Sequence, residues 1–227
     1  MAKPVPASGS LRVLAALLGY PDADMRRDLP EMRAIVRSEA AVSATRCAEL
    51  EALIDALGSG DPLQVEADYV DLFDRGRGTS LHLFEHVHGD SRERGPAMID
   101  LARTYEKAGL LLAPGELPDY LPVVLEFAST QPPREARAFL DEMAHILNAL
   151  FSALQQRRSR YASVVGALLD LAGSKAQAVK LAAEQALDES WEEPPVFDGC
   201  SAQGQASPGQ PQPIHLVRKN PQTGAVA

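Results

Sequence analysis

Cysteine is almost missing from this chain: Cys47 and Cys200 stand far apart in unlike contexts among 227 residues. Two such thiols build neither a disulfide framework nor a CxxC zinc knuckle, and the expected compartment is a reducing cytoplasm. An excess of positive charge is missing too. The formal net charge of -9 argues against a general nucleic-acid binder, which carries a basic face. It suits a cationic partner, by Coulomb attraction. No apolar run approaches the roughly 20 residues that span a bilayer, so no direct membrane insertion is expected. Sustained alternation of apolar and polar residues is absent, and few segments are rich in β-branched residues. That removes the sheet classes and leaves an all-α fold. There is no G-x-S-x-G elbow, no G-x-G-x-x-G or P-loop pattern, and no internal repeat of fixed period.

What is present is helical periodicity with capping signals. The length allows one large domain or two small ones, and 45% hydrophobic residues supply a sizeable core. Residues 1–9, with Pro4 and Pro6, read as a loose arm. The segment 11–19 resembles a short signal peptide, but Arg12 interrupts it and no small-residue cleavage site follows. An amphipathic first helix capped by Ser10 is the better reading. A second helix begins near Asp22 and should kink or split at Pro30. A third runs from about Ser43 to Leu57 and stops at Gly58-Ser59-Gly60. Asp61-Pro62 opens a fourth, which reaches about Phe73.

Gly76 and Gly78 then break the chain, and a short apolar turn covers 80–86. Asp90 or Ser91 caps a helix with Met98, Leu101, Ala102 and Tyr105 on one face. Another helix is expected from about Leu117 to Gln131. The longest periodic region, 134–171, is interrupted by the basic turn Arg157-Arg158. Gly173 closes it, and Ser174 caps a last helix that reaches Trp191. Together these make a single all-helical, bundle-like domain of about nine helices over 10–191. From 192 to 227 proline, glycine, glutamine and serine dominate. Such a tail does not offset its ordering entropy and is expected to be mobile.

Charged, aromatic and glycine residues concentrate in one stretch, DLFDRGRGTSLHLFEHVHGDSRERG, at 71–95. Three of the five histidines, His82, His86 and His88, fall within seven positions there. His82 to His86 spells H-x-x-E-H, the inverted zinc-protease pattern, with Glu85 as a general base. On a helix the two histidines would share one face, as zinc ligands must. No third ligand stands out and Gly89 keeps any helix short, so a zinc hydrolase is the runner-up. A looser site from His86, His88 and Asp90 is a second metal reading. Neither leads: no metal, no cofactor and no catalytic residue is expected. In the bland account Leu81, Leu83, Phe84 and Val87 are core and the histidines are structural. Arg75, Arg77, Arg92 and Arg94 then form solvated ion pairs with Asp71, Asp74, Asp90 and Glu93. The same composition also suits a recognition surface.

The block DLFDRGRGTSLHLFEHVHGDSRERGPAM, followed by ELPDYLPVVLEF, resembles the delta-subunit family of respiratory nitrate reductase, the NarJ-type assembly chaperones of the wider TorD-like group. The resemblance covers roughly 11–191. One departure is visible: the family usually has histidine where Tyr120 follows the Pro-Asp pair. The resemblance implies an all-helical cytoplasmic chaperone without catalysis of its own. Its partner would be the apo catalytic (alpha) subunit of nitrate reductase, including that subunit's N-terminal twin-arginine-like remnant peptide. The subunit would be held competent for insertion of the molybdenum cofactor and an iron–sulfur cluster before membrane attachment. Molybdenum cofactor biosynthesis proteins are further implied partners.

A helical peptide with apolar and basic residues can lie between helices, its apolar face in a groove. Negative net charge speeds that encounter. Drawn from the two blocks, Phe73, Leu83, Phe84, Leu121, Leu125 and Phe127 are expected to line the groove. Asp74, Glu85, Glu116, Asp119 and Glu126 are expected to form its negative rim. Arg75, His86, His88, Asp90, Arg92 and Arg94 complete the expected partner-binding set. A plain helical adaptor for another partner would fold the same way.

Overall fold

Ten α-helices form among residues 7–88 and 91–177, the parts of the chain that the computed structural model describes. They are α1 (Ser8–Leu18), α2 (Ala23–Glu39), α3 (Ala44–Ser59), α4 (Pro62–Phe73), α5 (Leu83–His88), α6 (Arg94–Lys107), α7 (Leu121–Thr130), α8 (Pro133–Glu142), α9 (Ala144–Gln156) and α10 (Ala162–Ala172). A single 3₁₀ turn, Arg77–Thr79, precedes α5. No strand is present among the described residues, so the all-α expectation stands. The expected tail at 192–227 lies outside the described residues, as does most of the expected last helix. Residues 174–177 of that helix are described and are not helical; Ser174 donates to Asp141 Oδ1 (2.8 Å) instead of capping.

Side-chain caps set three helix starts where the sequence placed them. Asp22 accepts from the Met25 N–H (2.8 Å), Ser43 from Arg46 (3.2 Å) and Asp61 from Gln64 (3.0 Å), each satisfying an orphan donor of the first turn. Ser10 does not cap. It lies inside α1, buried. The carboxylate of Glu39, at the far end of α2, reaches across and accepts from both Gly9 N–H (2.8 Å) and Ser10 N–H (2.7 Å). Pro30 does not split α2, which runs through it with the proline ring exposed. The expected long helix at 134–156 is two, α8 and α9, separated at Met143 where ψ opens to 1°. The expected turn at 80–86 is largely α5.

α10 is the centre. Its sequence, ASVVGALLDLA, is apolar nearly all round, and a helix of that kind belongs inside. It packs against α3, α8 and α9 and touches α1, while α1 lies along α7 and α2. Leu14, Leu17, Leu18, Leu125, Leu147, Leu150 and Leu168 meet there without solvent exposure of any consequence. Burying each such side chain contributes roughly 1.5–3 kcal/mol. Gly173 ends α10 in the left-handed region (φ 80°), and the Ser174 N–H bonds back to the Leu169 carbonyl (3.0 Å), a Schellman closure. α6 stands apart: of the expected stripe, only Tyr105 is buried, and Met98, Leu101 and Ala102 are half-exposed.

Candidate partner-binding site

Two segments far apart in the chain cross at one point. Leu83 N–H donates to the Asp119 carbonyl (3.0 Å) and Leu121 N–H to the Leu81 carbonyl (2.9 Å), an antiparallel bridge that pairs His82 with Tyr120. Extended backbone sends alternate side chains to opposite sides. Leu81, Leu83 and Leu121 therefore point into the core, while His82 and Tyr120 stand half-exposed on the outside, ring centroids 5.3 Å apart. The Tyr120 hydroxyl lies 3.4 Å from that of Tyr69, whose own proton goes to the Leu18 carbonyl (2.7 Å). Tyr120 is thus the donor of that pair. The crossing also explains why α7 starts at Leu121 rather than near Leu117: Asp119 and Tyr120 are used in the bridge, and Pro122 fits the first helical turn.

Asp119 is the hub. Its carboxylate is fully buried, and Oδ2 accepts the Phe84 N–H (3.1 Å), so it caps α5 from 35 residues away. His82 Nδ1 lies 3.5 Å from Oδ1, and an Arg94 guanidinium nitrogen 3.9 Å from Oδ2. These are charge contacts rather than hydrogen bonds; Asp119 Oδ1, His82 Nδ1 and Arg94 Nε have no hydrogen-bond partner among the described residues. Burial pushes the Asp119 carboxyl up, but His82, the Phe84 N–H and Arg94 outweigh it and hold the group below the ordinary carboxylate range. Asp119 in turn raises the His82 imidazole, against the opposing effect of burial.

A second ring of bonds surrounds this hub. Ser80 Oγ donates to Glu85 Oε2 (2.5 Å) and accepts the His82 N–H (3.2 Å). His86 Nε2 lies 2.8 Å from the Ser80 carbonyl, and since a carbonyl only accepts, Nε2 carries the proton. Arg94 reaches Glu85 at 3.4 Å, and Phe84 meets His88 edge-on at 5.6 Å. Tyr105 closes the far side by donating to the Pro118 carbonyl (2.8 Å). Upstream, the Thr79 hydroxyl donates to the Leu72 and Gly76 carbonyls. A Cβ at Gly76 would collide with that hydroxyl and stand 2.9 Å from the Leu72 carbonyl oxygen, which accounts for a glycine there.

The expected site residues separate into three groups. Leu83, Phe84, Glu85, His86, His88, Arg94, Asp119 and Leu121 come together around the bridge. Asp74, Arg75, Arg92, Glu116 and Glu126 are exposed but form no common cluster with it: Arg75 pairs with Asp71 (3.7 Å), and Glu116 accepts the Ala113 N–H (3.0 Å) in its own loop. Asp90 lies outside the described residues. The expected groove lining is corrected. Phe73, Leu83, Leu121, Leu125 and Phe127 are all 7% exposed or less and belong to the core, and Asp119 is interior rather than rim. Only Phe84 of the six apolar residues reaches the surface. His82, Ser80 and Tyr120, which the expected set left out, are at the centre. Alternation in Leu81-His82-Leu83 was the available signal for His82.

The H-x-x-E-H reading does not survive this geometry. His82 precedes α5 and faces Asp119, whereas His86 faces the Ser80 carbonyl. Among the described residues no group of three histidine, cysteine, aspartate or glutamate side chains gathers as a metal site would. No described helix is long and apolar enough to cross a membrane.

Residues 39–165 match the family model described as "Nitrate reductase delta subunit". The chain belongs to that family. It is 42% identical over 196 residues to the "Nitrate reductase molybdenum cofactor assembly chaperone NarJ" of Escherichia coli, covering 82% of this chain and 83% of the relative. It is 34% identical over 157 residues to the "Probable nitrate reductase molybdenum cofactor assembly chaperone NarJ" of Bacillus subtilis, covering 69% of this chain and 84% of the relative. Both family-like blocks, 71–98 and 116–127, fall within the matched region, and the bridge is where they meet.

Proposed function

We propose that this protein is an assembly chaperone for a nitrate reductase: it binds the apo catalytic subunit, including its N-terminal peptide, and keeps it competent for molybdenum cofactor insertion before membrane attachment. The observation that carries the reading is the 42% identity to a chaperone of that name across four-fifths of both chains. The surface around the bridge supports it. Phe84, His88 and the exposed Val87 offer apolar contact on α5, beside Glu85, His86 and Arg94. Asp74, Arg75, Arg92, Glu116 and Glu126 add charge to the outer face, and the core residues Phe73, Leu83, Leu121, Leu125 and Phe127 hold it in place. The role is binding and timing, without catalysis, in the cytoplasm where the client subunit is made. Asp119 and His82 fix the shape of the surface, and partner contact falls to their exposed neighbours.

Calorimetric titration of the full chain with the N-terminal peptide of a nitrate reductase catalytic subunit tests the reading, with the apo subunit as second titrant. Saturable one-to-one binding to either supports it. A folded protein that binds neither refutes it and returns the helical adaptor with another partner.

A further inference from the structure

A cleft of about 680 Å³ opens between α4 and the turn that joins α9 to α10, and none of its lining residues belongs to the bridge. Its walls carry opposite charge. Asp61, Gln64, Asp68 and Asp71 line one side. They recur every three or four residues along α4, one face of a helix, and at 1.5 Å per residue the row is about 15 Å long. Gln64 Nε2 donates to Asp68 Oδ1 (2.6 Å), which orients that carboxylate and leaves its second oxygen available. The facing wall is the turn, with Arg158 and Arg160. Neither makes an ion pair among the described residues. Arg158 sits at φ 53°, where glycine is the low-energy choice, yet the position carries a cation. Between the walls lie Val65 and Leu72, half-buried, and the side of Tyr161.

Tyr161 completes the apolar floor between the walls: it lines the cleft, its ring packs on Tyr69 and Phe73, and its buried hydroxyl has no hydrogen-bond partner among the described residues.

We infer that this cleft docks a short amphipathic helix of a partner protein. That helix presents lysine or arginine on the flank against α4, an apolar stripe to Val65 and Leu72, and glutamate or aspartate on the flank against Arg158 and Arg160. The row length matches a helix of about ten residues. Helix-in-groove recognition of this kind reads an apolar stripe for affinity and flanking charges for register. The inference does not depend on which protein is the chaperone's client.

The test is calorimetric titration of the full chain with a synthetic helical peptide carrying a leucine stripe, lysines on one flank and glutamates on the other. Two control peptides carry lysine on both flanks or glutamate on both. Saturable binding of the two-sign peptide is expected, at least about tenfold tighter than either control, as mispaired charge penalises the wrong partner. The Asp68→Lys/Asp71→Lys variant should lose about tenfold for that peptide and gain for the all-glutamate one. Arg158→Glu/Arg160→Glu should shift preference to the all-lysine peptide. All four positions are solvent-facing, and circular dichroism confirms the fold. No saturable binding to the unmodified chain, or equal affinity for all three peptides, overturns the proposal. The N-terminal client peptide is titrated against the same variants. Client binding that persists while designed-peptide binding fails separates the failure of this cleft from failure of the chaperone reading.

Discussion

Replacing Asp119 with asparagine removes one charge from the interior and leaves the side chain its shape. The acceptor for the Phe84 N–H survives in the amide oxygen, so the cap of α5 is retained. What is lost is the attraction to His82 and Arg94. Removing one partner of a buried pair costs about 3–5 kcal/mol when the other is stranded. Here the side chains of His82 and Arg94 are 32% and 27% exposed, and water relieves them. The expected loss is therefore about 2 kcal/mol, below that range. It should also depend on pH. The His82 pKa is raised above its ordinary 6.5, so its contribution is complete below 6.5 and is lost as pH rises through the raised value. The Asp119 pKa is lowered below 3.8, so its contribution is complete above 3.8 and is lost as pH falls through the lowered value. The pair stabilises fully between those two ordinary values. Urea unfolding of both proteins at about pH 5 and about pH 9 reads the difference, which should be larger at the lower pH. NMR titration of the His82 ring should show its pKa falling in the variant, because the Asp119 charge that outweighs burial is gone and only the Glu85 charge still raises it. A variant within about 0.5 kcal/mol of the original at both pH values, with His82 still raised, would refute the charge-pair account.

Glu39→Ala removes the carboxylate that holds two N–H groups at the start of α1, and a loss of about 1–2 kcal/mol is expected. Thermal unfolding measures it, and amide exchange should quicken at Gly9 and Ser10 first. Leu83→Ala and Phe84→Ala should separate support from contact. The first empties a core position and should cost about 2–5 kcal/mol in urea unfolding. The second should leave stability within about 1 kcal/mol while weakening titration of the catalytic-subunit peptide.

Much of the local structure was written in short stretches of residues. Asp22, Ser43 and Asp61 cap the helices they precede, because a carboxylate or hydroxyl satisfies an N–H two or three residues ahead whatever surrounds it. The continuous apolar surface of ASVVGALLDLA marked α10 as interior in the same way, and Gly173 marked its end. The two blocks that identify the family were legible as strings. Their meeting was not: His82 and Tyr120 are paired by backbone bonds across 37 intervening positions, and nothing in either block states the register. The expected groove went wrong for the same reason. Phe73, Leu121, Leu125 and Phe127 are apolar residues in a suggestive block, but an apolar residue reads alike whether it lines a groove or fills a core. Only the neighbours brought by folding distinguish the two. Asp119 shows the converse. A carboxylate looks like surface in any sequence, and it is buried here because Phe84, His82 and Arg94 arrive from elsewhere to satisfy it. Periodicity and caps are one-dimensional signals and specified the helices. Burial and charge pairing depend on contacts between distant segments, so the tertiary structure alone decided which residues form the surface and which hold it up.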